Sequence, residues 1–198
     1  MSIVPVSNQN LLRRLRRMRV LVIHPDDDEG QMFVAHLKRI GCQVEVLWPA
    51  PETLPAQVDV VLFLLGPDRD PNTASWMSAA ERIARIAIIS FETPEIIGEL
   101  ERLNVHGVLT KPIRIFGILA ALTTAIGLAR HEATLKTRIA SLDETLKARR
   151  KIEQAVSILS ETRGIDEQDA YKRLRDKSQN SQTSIADIAA AIIAAHDV

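Results

Sequence analysis

The sequence predicts an α/β domain built on a parallel five-stranded sheet, followed by a segment that is helical throughout. Three observations carry this prediction. As far as residue 112, short runs rich in Val, Ile and Leu alternate with stretches of helical period. After Pro112 there is no further proline, and no glycine stands between Gly127 and Gly164. Inside that gap, aliphatic residues recur in steps of three and four.

The strands are expected at Val20 to Ile23, Val44 to Leu47, Val58 to Leu65, Ile86 to Ile89 and Val108 to Leu109. Between them, Gln31 to Ile40, Ala74 to Ala84 and Pro94 to Leu103 have the spacing of helices, whereas Trp48 to Ala56, with three prolines, reads as an irregular connection. The near-continuous apolar run from Val58 suits a central strand covered on both faces. Five strands and their helices in about 100 residues match a flavodoxin-like, doubly wound sheet.

The first strand runs into LVIHPDDDEG, which raises the question of a metal site. A cation needs converging carboxylates, and Asp26, Asp27, Asp28 and Glu29 follow one another at the start of the next helix, where acids favour the positive helix end by about 0.3 to 1 kcal/mol apiece. A helix start is the reading. The alternatives are that Asp26 or Asp27 turns back toward Lys111, or that Asp68 serves as a displaced acceptor.

From Ile113 the pattern can run as one helix for some 45 residues. The uncharged stretch Ile115 to Ala129 has fifteen residues, short of the roughly 20 a bilayer span needs, so it reads as a buried face and no membrane association is expected. Leu128, Leu135, Ile139, Leu142 and Leu146 then keep the a/d rhythm of a coiled coil, with Glu132 on an a position. A parallel homodimer accounts for this stripe, with packing against the chain's own body as the alternative. The helix is expected to stop at Gly164, and Asp166 and Ser184, each with an aspartate three residues on, head two more. The divisions expected are a basic arm over 1–18, the sheet domain over 19–127, a coiled-coil linker over 128–147 and a small helical module over 148–198.

Composition bounds the function. Twenty-five basic and twenty-five acidic residues cancel, so no overall field draws the chain to nucleic acid, and any such contact must come from a local patch. Cys42 is the only cysteine, which excludes an internal disulfide and fits a reducing cytoplasm. The arm LLRRLRRMR carries five arginines but no signal-peptide core; it reads as a basic amphipathic turn, or alternatively as an RNA- or membrane-contacting arm. His24, His36, His106, His131 and His196 lack ligand spacing, and neither a glycine-rich phosphate loop nor a nucleophile elbow is present. No enzyme activity, metal or cofactor is expected.

The alternation, with Lys111 and Pro112 after the fifth strand and Ser90 after the fourth, resembles the receiver domain of bacterial response regulators. The resemblance implies a metal-holding acidic pair after the first strand and a phosphoaccepting aspartate at the end of the third. Here His24 and Pro25 occupy the first positions and Leu64 the second, and leucine has no oxygen to attack a phosphoryl donor. The domain resembles a pseudo-receiver with a buried apolar side chain at the acceptor position.

The tail RRKIEQAVSIL…GIDEQDAYKRLRDKS…SIADIAAAII resembles the ANTAR module, a three-helix RNA-binding domain of antiterminators. Tyr171, the only tyrosine, adjoins Lys172, Arg173 and Arg175, and Arg149, Arg150 and Lys151 form a second cluster. An aromatic among cations suits RNA, whose splayed loop bases stack while phosphates meet the charges; the alternatives are a Tyr171 packed in the core and a merely solvated basic face. Val156, Ser178, Gln182 and Thr183 depart from the pattern. The whole order resembles the AmiR/NasT family, and RIGCQVEVLWPAPETL followed by VDVV resembles its aliphatic-amidase branch. The resemblance implies a dimeric cytoplasmic protein that binds hairpins in leader RNA. It also implies an amide-sensing negative regulator similar to periplasmic ligand-binding proteins. The competing reading is a phosphorylation-dependent response regulator with a DNA-binding output, but IADIAAAIIAA offers no base-reading side chains to a groove.

Overall fold

The computed structural model describes residues 16–66 and 82–196. Five parallel strands, β1 (Arg19–Ile23), β2 (Gln43–Leu47), β3 (Val60–Leu65), β4 (Ala84–Ile89) and β5 (Gly107–Thr110), form one sheet in the order β2-β1-β3-β4-β5. This is the doubly wound order, in which the strand direction of growth reverses beside β1. Its helices are α1 (Asp28–Ile40) and α2 (Pro94–Arg102), and the chain continues through α3 (Ile115–Arg163), α4 (Glu167–Ser181) and α5 (Ile185–His196).

Each expected strand is present, with boundaries shifted by one or two residues. The third begins at Val60, not Val58, and the fourth begins at Ala84, before Ile86. Residues 82–84 are not helical, which corrects the end of the helix expected over Ala74 to Ala84; the rest of that segment, like Asp68 and residues 1–15 of the arm, lies outside the described residues. The connection after β2 is irregular as expected, and Ala50 and Leu54 cover the sheet in place of a helix. The burial of β3 and β4 explains their lack of alternation: among their twelve residues only Leu64 is not fully buried.

One sheet face is covered by Phe33 and Leu37 of α1 and by Ile118, Leu122, Ala125 and Ala129 of α3, which recur at four, three and four residues. The other is covered by Ile96 of α2 and by Leu103. Regular helical geometry in α3 begins after Phe116 and Gly117, whose φ of 106° is open to glycine and strained for other residues.

The chain divides into two compact units between Thr134 and Leu135, inside α3. In the second unit Ala155, Val156, Ala170, Leu174 and Ala189 form the core of the three helices. Small side chains at three of these positions let the helix backbones approach closely. Gly164 (φ 59°) ends α3. Asp166 caps α4 by accepting the Asp169 N–H at 2.7 Å. Ser184 accepts the Asp187 N–H at 3.1 Å and donates its hydroxyl to the Asp187 carboxylate at 2.6 Å. Both caps occur where the sequence spacing put them.

Candidate functional site

The strand order brings His24 and Pro25, Leu64, Ser90 and Lys111 to one place, the C-terminal edge of the sheet. Ligands of doubly wound folds bind at this edge, so its chemistry decides what the domain can do. His24 is 1% exposed; its Nδ1 lies 2.9 Å from the Pro25 carbonyl, and its buried Nε2 has no hydrogen-bond partner among the described residues. Gly30 packs directly over it: a Cβ there would stand 2.7 Å from His24 Nδ1 and 2.8 Å from the Pro25 carbonyl. Leu64 is only partly buried, packed against the sheet core, so the buried side chain expected there is realised in part, while Ser90 is exposed.

Lys111 is engaged by an acid the sequence reading passed over. Its Nζ lies 3.1 Å from Glu29 Oε2, and Glu29 Oε1 accepts the Ile113 N–H at 2.6 Å. One carboxylate therefore ties the start of α1 to the loop that follows β5. Burial pushes the Glu29 carboxyl up, but the Ile113 N–H and the Lys111 ammonium outweigh it, and the group sits below the ordinary carboxylate value. The signal was present in the spacing: Glu29, Phe33 and Leu37 are four residues apart, so they share the inward face of α1.

The other acids are turned to the helix start. Asp27 caps α1 by accepting the Gly30 N–H at 2.7 Å, which holds its carboxyl below the ordinary value, and Asp26 accepts from the Gln31 amide at 3.0 Å. Neither is bonded to Lys111. Among the described residues no group of three or more acids, histidines or cysteines could hold a metal ion.

At the opposite edge of the sheet a second polar cluster reaches α3. His106 Nδ1 accepts the Arg85 N–H at 3.0 Å, so its Nε2 is free to carry the proton and donate to Glu132 at 2.9 Å. The guanidinium of Arg85, itself buried, stands 3.6 Å from the same carboxylate. Glu132 thus faces its own unit, and the exposed aliphatic stripe runs on without it. Leu128, Leu135, Ile139, Leu142 and Leu146 are about half exposed or more, from 46% at Leu135 to 65% at Ile139.

In the helical module Ala170 and Leu174 face the core, while Tyr171, Lys172, Arg173 and Arg175 are exposed. Tyr171 is 47% exposed, which corrects the alternative of a core tyrosine. Helical spacing separates the four: Tyr171 and Arg175 share one flank, Lys172 points away from the core, and Arg173 lies on the other flank with Asp169 and Asp176. Tyr171 also borders an open groove of about 1030 Å³ with Arg149, Ile152 and Gln168. Arg150 and Lys151 are exposed, but Arg149 Nε is bonded to Glu153 at 2.8 Å. Two of the departures from the ANTAR pattern have structural roles: Val156 is buried in the core, and the Ser178 hydroxyl closes the end of α4 on the Thr183 carbonyl at 2.6 Å.

The family model for the AmiR N-terminal domain matches residues 18–126, and that for the ANTAR domain matches residues 140–193. The chain is 31% identical over 186 residues to the aliphatic amidase regulator of Pseudomonas aeruginosa, covering 93% of this chain and 95% of that protein. The chain belongs to the AmiR family. Within the wider group of regulators, this AmiR-family chain is 25% identical over 135 residues to the transcriptional regulatory protein PdtaR of Mycobacterium tuberculosis, covering 68% of this chain and 66% of that one. Solved structures similar to it include a CheY-like response regulator from Mesorhizobium loti, with 21% identity, a TM-score of 0.48 and coverage of 55% and 98%. A signal receiver domain of a diguanylate cyclase from Desulfovibrio desulfuricans has 22% identity, a TM-score of 0.45 and coverage of 60% and 97%. By its two family models and its identity to the amidase regulator, the AmiR-family chain is a regulator of the antiterminator family, with a doubly wound parallel sheet and an ANTAR module. No helix among its described residues is long and apolar enough to cross a membrane.

Proposed function

We propose that this protein is a dimeric cytoplasmic antiterminator that binds stem-loops of a leader RNA through its ANTAR module and is controlled by a protein partner instead of by phosphorylation. The observation that carries the RNA reading is Tyr171, half exposed on α4 beside Lys172 and Arg175. A half-exposed aromatic among cations supplies a stacking surface for an unpaired base and charges for the phosphates on either side. Arg150 and Lys151 on α3 are further exposed cations of the module, while Arg173 lies on the opposite flank of α4.

Independence from phosphate rests on the sheet edge. Leu64 supplies no nucleophile, His24 and Pro25 supply no carboxylate for a hard cation, and Lys111, the cation that would meet a phosphoryl group, is already held by Glu29. Control then falls to a partner, which suppresses activity only by its differential affinity for silent and active states. A negative regulator similar to periplasmic ligand-binding proteins, releasing the chain when an amide binds to it, is the partner this reading names. The exposed Leu135, Ile139, Leu142 and Leu146 support a parallel homodimer, since each leaves apolar area in water that a second helix would cover at roughly 1.5 to 3 kcal/mol per fully buried side chain.

Binding of the full chain to its leader-RNA hairpin, measured against salt, tests this. A few phosphate contacts give a log-log slope of about −0.7 per contact, and hairpin RNA should be preferred to duplex DNA. Equal affinity for the two would refute the proposal.

A further inference from the structure

The aliphatic stripe on α3 does not end at Leu146. After Leu135, Ile139, Leu142 and Leu146, the same alternation of four and three reaches Arg149, then Glu153, then Val156. Val156 is 9% exposed in the core of the helical module, so the seam stops there. Arg149 and Glu153 are its last two exposed positions, with side chains 77% and 61% exposed. In heptad terms Ile139, Leu146 and Glu153 fall on a, and Leu135, Leu142 and Arg149 on d. Isoleucine at a with leucine at d, as at Ile139 with Leu135 and Leu142, is the pattern of parallel two-stranded coils, and Leu146 takes the next a position.

Resting on the dimer reading above, we propose that Arg149 and Glu153 are the register-setting layers of a parallel homodimer, each Arg149 pairing across the seam with Glu153 of the second copy. Arg149 is then an interface residue and not an RNA contact. A two-fold axis sets each residue opposite its own copy, and the two layers are four residues, roughly 6 Å, apart along the helix. An arginine side chain spans that offset, so two arginines and two glutamates close into a neutral quartet. A slip of one heptad would instead set Arg149 against Leu142 and Glu153 against Leu146 of the second copy. An antiparallel arrangement would bring the charged end against the aliphatic one. Either sets the Arg149–Glu153 pair against aliphatic side chains, where each charge keeps only its neighbour on the same helix and desolvation is not repaid by a second pairing. The seam therefore has one polar end and admits one register.

The surroundings favour this over a phosphate contact. The Arg149 guanidinium is already on Glu153 at 2.8 Å, and the groove it borders also carries Glu167. Two carboxylates at this groove weigh against a phosphate contact at Arg149, whereas in the dimer each Glu153 is matched by one arginine.

The test is sedimentation velocity on the full chain, with helix content followed by circular dichroism. R149E and E153R should each weaken the dimer by at least about tenfold, because each creates a cluster of four like charges. The R149E/E153R double variant should regain the parent constant, as should an equal mixture of the two single variants, where an acid faces a base in both layers. The double variant should also bind the hairpin like the parent. Single variants that dimerise as well as the parent would overturn the proposal while leaving the dimer standing. A double variant that dimerises but loses the hairpin would return Arg149 to the RNA surface. A parent chain that stays monomeric would remove the dimer reading itself, and this proposal with it.

Discussion

Glu29 holds Lys111 at 3.1 Å and the Ile113 N–H at 2.6 Å, across 82 and 84 positions of sequence. This one carboxylate fastens the loop leading into α3 to the first turn of α1. Lys111→Met should lower the free energy of unfolding by about 1.5 to 3 kcal/mol, the range for a lost charge-assisted hydrogen bond that leaves its partner half-buried. Urea unfolding would measure it. An unchanged midpoint would show that the pair contributes no net stability.

The same pair sets an acid limb. The Glu29 carboxyl is depressed in the folded chain below its ordinary value of 4.5. Its stabilisation is therefore complete above that pH and lost as pH falls through the lower folded value. Asp27, depressed by the Gly30 N–H, acts in the same direction. The slope of stability against pH in the acid range should flatten in Glu29→Gln, and a slope equal to the parent's would assign the acid limb elsewhere.

Incubation of the full chain with a small phosphodonor such as acetyl phosphate should leave its intact mass unchanged. Leu64 stands where an acceptor carboxylate is needed, and Glu29 already occupies the lysine that would neutralise the transferred group. A stable acyl-phosphate adduct that raises hairpin affinity would defeat this account of the sheet edge.

On the helical module, Tyr171→Ala should cost about 1 to 3 kcal/mol of hairpin affinity, the usual worth of one base stacked on an aromatic. Lys172→Ala should instead reduce the salt slope by about 0.7 and weaken all RNA sequences alike. Filter binding over a salt series separates the two effects. Because both side chains are exposed, neither variant should shift thermal unfolding appreciably.

Ala170 is fully buried where α3, α4 and α5 meet. Replacing it with leucine forces extra methyl groups into a closed core and should destabilise the module by about 1 to 3 kcal/mol. Calorimetry that found the Ala170→Leu variant as stable as the parent would mean that the three helices do not pack as tightly as described.

Much of this was legible in the chain. The alternation of apolar runs set the strand count, the lack of proline after Pro112 and of glycine between Gly127 and Gly164 let α3 run to Arg163, and the aspartates three residues beyond Asp166 and Ser184 marked the caps of the last two helices. These signals are local, because backbone hydrogen bonding and side-chain period act within a few residues. The missed pairings were long-range. Glu29 was grouped with its neighbours as one more acid at a helix start, and Glu132 was placed on the coiled-coil seam, although it accepts from His106 at 2.9 Å.

The sequence by itself determined the order of elements, the apolar residue Leu64 and the aromatic Tyr171 with cations next to it in the chain, since each depends on residue identity or short spacing. Only the tertiary structure decided which of four consecutive acids meets Lys111, whether Tyr171 is buried, and that Glu132 turns to His106. Direction and burial depend on how a helix is rotated against what it packs on, and that rotation is fixed by distant side chains that no short window of sequence contains.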